Sequence, residues 1–313
     1  MQLFEGIWRR VTSVTDQIFE FDRPVTPGEQ WVFRAFELFV TAGLGYLCWN
    51  WGFEVGRLVQ GAFHEWAPKY AGSLLDAQTL AFVNASLITL LLGLGWFRIW
   101  DRYVYLAALP LIHMQFVGRY WPEVGVHQSQ LVGMSLLAIG LAFFFFESSS
   151  LRLRFALGSS YALISVSYFL AALSKLRQGG LGWIDGNNFQ MMLSANQVHR
   201  IARDRSFAFN ALQELVMSYG FLGTLILAFG LLTELSAFLI CFRRFRIYSA
   251  TAILLLHLGV IAAMNISFPW NMSLLLLLGY PWAVLIESTG FHNIRPPVTA
   301  STAGASPSTV QRK

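Results

Sequence analysis

The chain predicts an all-α, polytopic transmembrane helical bundle, and three observations carry that prediction. Of its 313 residues, 55% are hydrophobic and only 12% are charged, about half the charged share of a soluble chain. Apolar stretches close to the roughly 20 residues needed to cross a hydrocarbon core recur along the whole length. The basic residues gather in short clusters between those stretches. A net charge of +5 and a pI near 9.4 therefore reflect membrane topology, with no nucleic-acid partner expected.

Taken in order, MQLFEGIWRRVTSVTDQIFEFDRP is amphipathic, contains acids and lacks the apolar core of a signal peptide. It reads as an uncleaved interfacial helix within an N-terminal segment covering 1–30. Unbroken apolar runs then place eight spans: Trp31–Trp51, Gln78–Phe97, Tyr103–Trp121, Leu131–Phe146, Phe155–Lys175, Tyr219–Phe242, Tyr248–Phe268 and a short Met272–Ile286. Together they form a transmembrane domain over 31–290. Between spans five and six, Leu176–Ser218 mixes apolar and basic positions at helical spacing, which predicts amphipathic helices on the outer membrane surface. The tail over 291–313 is rich in Pro, Ser, Thr and Ala and is expected to be disordered.

With the N-terminus inside, thirteen basic residues fall in inside segments and seven in outside ones. Both termini are therefore expected to be cytoplasmic and the protein to sit in a plasma (inner) membrane. Cys48 and Cys241 lie in or beside spans without metal-ligand spacing, so neither a disulfide nor a metal site is predicted.

Ionisable groups inside spans are expensive and are functional candidates by default. Arg34 and Glu37, three apart in the first span, can satisfy each other. His113 in LPLIHMQF is either a packed, carbonyl-bonded histidine or a ligand-binding one. Glu234 lies roughly 12 Å from Phe242 and His257 roughly 14 Å from Tyr248, so antiparallel neighbours would bring them together at matched depth. That pair reads as interhelical glue or as part of a site. Lys175 stands roughly 32 Å along its helix from Arg154, at the outer boundary. There it either snorkels into headgroups or turns inward under Gly179, Gly180 and Trp183, where a neutral lysine would serve as a general base.

YFLAALSKL followed by WIDG (168–186), and then GFLGTLILAFGLLTELSAFLICFRRFR and IYSATAILLLHLGVIAAMNISFPWNMSLLLL, resemble the horizontally transferred transmembrane (HTTM) domain. That domain is the membrane part of vitamin K-dependent gamma-carboxylases. The similarity covers roughly Tyr161 to Tyr280. It implies Lys175 as the base toward a quinone, reduced vitamin K, with His257 and Glu234 also catalytic. Trp183, Asp185, Gly186, Asn265 and His113 would line the cofactor site. The chain departs from carboxylases by lacking their lumenal and propeptide-binding region and by an additional span before the lysine helix, so protein-glutamate carboxylation is not expected.

Three functions compete. A quinone-binding membrane enzyme would depend on Lys175. A non-enzymatic immunity, export or maturation factor would use Leu176–Ser218 to meet a membrane or exported protein. A transporter would need a polar path between Lys175 and the Glu234 and His257 level, roughly 15 Å apart by residue counting, and no internal repeat supports it.

Overall fold

The computed structural model describes residues 13–55, 77–120, 130–204 and 209–290, and among these every regular element is helical. The elements are α1 (Pro27–Val55), α2 (Ala77–Trp96), α3 (Asp101–Tyr120), α4 (Gln130–Phe145) and α5 (Ser149–Gly179), which runs into a 3-10 turn over Gly180–Ile184. Then come α6 (Gly186–Asp204), α7 (Ala211–Ser218), α8 (Gly220–Leu235) with a 3-10 continuation over Ser236–Cys241, α9 (Arg246–Met264), α10 (Pro269–Gly279) and α11 (Trp282–Ser288). The expected disordered tail and the first 12 residues lie outside the described residues. Residues 13–19 are helical, and Phe19 stacks on Phe155 of α5 at 5.5 Å.

Neighbouring helices run antiparallel. The Trp49 indole donates to the Thr89 hydroxyl at 3.0 Å, Asn84 bonds Gln115 at 2.8 Å, and the Thr251 and Tyr280 hydroxyls meet at 3.0 Å. Phe36, Val40 and Leu44 of α1, Ile88 of α2, Leu136 and Ile139 of α4, Ile164 of α5, Ile253 of α9 and Leu274 of α10 form one buried core. Buried hydroxyls return to their own backbone four residues back, as Ser135 does to Leu131 and Ser160 to Ala156. This satisfies them where no water reaches.

Among the described residues, five elements are long and apolar enough to cross a membrane: α1, α2, α5, α8 with its continuation, and α9. The pair α10 and α11 makes a sixth if its 54° bend is one broken span. The expected eight-span count included α3, whose stretch carries Asp101, Arg102, His113, Gln115 and Arg119, and α4, which has only 16 residues. The predicted Met272–Ile286 span is broken at Tyr280–Pro281, because proline cannot donate to the preceding turn. The amphipathic helices expected after span five are present as α6 and α7. Their apolar residues Phe189, Leu193 and Val216 pack with Leu227 of α8 and Ala263 of α9, so these side chains face the bundle.

Candidate functional site

Tyr168 and Lys175 are seven residues apart on α5, two turns along one helical face. Lys175 turns inward: its Nζ donates to both carboxylate oxygens of Glu234 on α8. The lysine side chain is 30% exposed and the glutamate 9%. Trp183, in the 3-10 turn that follows α5, places its ring centroid 4.9 Å from Nζ, so the ammonium has a carboxylate on one side and a π face on another. Of the two expectations for Lys175, inward turning is the one observed.

The pairing of Glu234 with His257 expected from the sequence is not formed. His257 Nε2 instead meets the Tyr168 hydroxyl at 2.5 Å, while Glu234 bonds Lys175. The reason is helix register. Counting from Arg154 and from Phe242 assumed that these residues mark one plane, but the 3-10 continuation of α8 packs along α5 with Cys241 near Ser165, eleven residues beyond Arg154. From that level Lys175 is about 15 Å further along α5. Glu234 is about 13 Å back along a stretch that rises faster because it is partly 3-10. Lys175 and Glu234 therefore meet directly, which closes the gap expected between Lys175 and the Glu234 level.

Tyr168 links the two pairs. Its hydroxyl lies within electrostatic reach of the Glu234 carboxylate, and its ring meets the His257 ring edge-on at 5.7 Å. Phe268 closes the other side of His257 at 5.0 Å. His257 is 6% exposed, and its Nδ1 is buried with no hydrogen-bond partner. Such an orphaned nitrogen costs free energy unless something completes it. The cluster therefore presents a lysine–carboxylate ion pair, a phenol–imidazole pair, two aromatic faces and one open hydrogen-bonding position.

The remaining predicted site residues are structural or stand apart. Asp185 accepts from the Asn187 backbone N–H at 3.0 Å just before α6, so it shapes that turn. Gly186 donates its N–H to the Thr224 hydroxyl at 2.9 Å, and a Cβ there would lie 1.9 Å from the Gly220 carbonyl oxygen. It is a packing glycine that lets α6 touch α8. Asn265 is exposed and caps α9 in the left-handed region with φ of 55°, and His113 is exposed on α3. Neither joins the cluster.

A second polar centre exceeds what the sequence foretold. Arg34 and Glu37 do pair, at 2.8 Å, but the fully buried Glu37 also binds Arg98 Nη2 at 2.7 Å and the Tyr105 hydroxyl at 2.6 Å. Arg98 reaches inward from a turn where it and Trp100 have φ of 62° and 54°. Its clustering with Arg102 hid this role, because both read as topological charges. Tyr168 was legible in principle, two turns before Lys175 on the same face. No group of His, Cys, Asp and Glu suited to a metal occurs among the described residues, and no family model, curated protein or solved structure matches the chain.

Proposed function

We propose that the protein is an integral-membrane acid–base enzyme acting on a lipid-soluble hydroquinone, with Lys175 and Glu234 as its proton-accepting couple. The observation that carries this reading is the Lys175–Glu234 pair itself, set against Trp183 inside an apolar bundle. A charged group in such surroundings costs a few kcal/mol on insertion scales, about 2.5 to 3.5, and an Ala or Leu in its place would cost nothing.

The residues present fit a quinone-type ring. Trp183 and Phe268 supply aromatic faces, and the orphaned His257 Nδ1 offers a hydrogen-bonding position for one oxygen. A quinol, when bound, supplies an acidic hydroxyl. Glu234 takes the proton held by Lys175, which leaves a neutral amine able to accept the hydroxyl proton. Tyr168 orients His257 through its hydroxyl, and Trp183 covers the couple from one side. In the same reading α3 and α4 complete eight passes, both termini lie in the cytoplasm, and the membrane is the plasma (inner) membrane.

The test is extraction and mass spectrometry of small molecules that copurify with the wild type, with Lys175→Ala and Glu234→Gln, and with the exchanged pair Lys175→Glu/Glu234→Lys. The wild type is expected to retain a quinone, and both single variants to lose it while staying folded. The exchanged pair should restore the ion pair but not the retention. Equal retention by Lys175→Ala would overturn the reading, and so would full recovery in the exchanged variant, which would make the pair a clamp between α5 and α8.

A further inference from the structure

At the end of the bundle where α1 and α5 begin and α8 turns into α9, a cavity of about 250 Å³ is lined by residues from 18–32, α5, α9 and the α10–α11 break. Four arginines are among the residues that line it, Arg23, Arg154, Arg243 and Arg246. Three glutamates line it as well, Glu20, Glu29 and Glu287. It shares helices α5 and α9 with the Lys175 cluster but none of that cluster's residues.

The charges do not all cancel within the protein. Glu29 accepts from Arg23 and receives both Nη atoms of Arg154, at 3.2 and 2.8 Å. Glu20 pairs with Arg23 at 3.0 Å. Those four groups neutralise one another. Arg246 is held by the Ile240 carbonyl at 3.2 Å and by the Tyr161 ring at 3.7 Å, with Glu20 no closer than 4.0 Å. Arg243 is exposed and pairs with no carboxylate among the described residues. Glu287 accepts the Gly28 backbone N–H at 3.2 Å and pairs with no cation among the described residues. Arg154 is 6% exposed, and its Nε is buried without a partner.

The cavity thus has an unmet demand for an anion beside an unmet demand for a cation. Inorganic phosphate would answer the first and face three carboxylates. A metal cation would answer the second and face four arginines. A group that carries both charges answers each at its own place. Ile247 and Val284 also line the cavity and are exposed, which gives the ligand an apolar flank.

We propose that this cavity binds a phosphate ester bearing a primary ammonium, the headgroup of an aminophospholipid. Its phosphate lies at Arg243, Arg246 and Arg154 Nε, its ammonium at Glu287, and its acyl chains run along Ile247 and Val284. Arginine suits the phosphate because its planar fork delivers several donors at once.

The experiment uses the purified full-length chain, delipidated and returned to phosphatidylcholine vesicles that contain phosphatidylethanolamine or phosphatidylglycerol, with bound lipid quantified by mass spectrometry. Phosphatidylethanolamine should be enriched over both other lipids. Glu287→Gln should weaken that enrichment by about tenfold, the scale of one charged hydrogen bond, and leave phosphatidylglycerol binding unchanged. Arg243→Gln, at an exposed position, should weaken both. Soluble phosphoethanolamine and inorganic phosphate serve as competitors. Displacement of the lipid by phosphoethanolamine confirms headgroup recognition, and binding of the soluble compound without any lipid enrichment identifies a free phosphate ester as the occupant. Equal binding of all three lipids with no effect of phosphoethanolamine overturns the proposal, as does unchanged phosphatidylethanolamine enrichment in folded Glu287→Gln.

Discussion

At the scale of single residues, buried charge among the described residues centres on Glu37, Arg154 and Glu234, and these differ in what each would lose. Glu37 holds Arg34, Arg98 and Tyr105 with no exposure of its own. Glu37→Leu leaves two guanidinium groups without their carboxylate and is expected to cost about 3–5 kcal/mol. Unfolding in detergent, followed by helical circular dichroism, measures this; a loss below 1 kcal/mol would show that the arginines find other partners. Tyr105→Phe removes one hydrogen bond and should cost about 1 kcal/mol in the same assay. Lys175→Arg keeps the charge beside Glu234 and the cation over Trp183, so fold stability should hold while copurified quinone is lost. The expense of Lys175 and Glu234 was legible in the sequence, since both interrupt apolar runs. Their union was not, because no residue type reports that Ser165 stands opposite Cys241. Likewise Arg98 reads as a boundary charge until its turn, with positive φ, is seen to aim it inward.

Among the elements, α6 and α7 were legible as helices but not in the partner of their apolar faces. Their amphipathic pattern was plain, and it fits a membrane surface and a protein surface equally well, so periodicity alone could not choose between them. Gly186 decides the matter locally, since without a Cβ the start of α6 comes against Gly220 and Gly223 of α8. Gly186→Ala forces a backbone shift and should destabilise by about 1–3 kcal/mol, and it should free α6 from the bundle. Hydrogen exchange over α6 is the measurement, and unchanged protection would contradict the contact. The α5 element extends for 31 residues, about 46 Å, well beyond a hydrocarbon core of about 30 Å.

For the whole molecule, composition alone gave the class, an all-helical membrane bundle, because nothing else explains so little charge over so long a chain. The number of passes was less legible, since α3 dilutes its apolar run with polar residues and α4 is short. Single cysteines introduced at Ala77 and Gln130, labelled with a membrane-impermeant maleimide in intact cells, test the eight-pass proposal. Both should react from the outside, and labelling of only one would mean that α3 and α4 do not both cross. The bend between α10 and α11 carries a further consequence. Because α11 hooks Glu287 onto the Gly28 amide at the start of α1, α1 is fastened by an element made more than 250 residues later. Biogenesis cannot then proceed as independent hairpins settling one by one. Helix α1 waits, partly unclasped, until α11 has been made, and a chain cut short after Gly279 should persist as a substrate for membrane proteases.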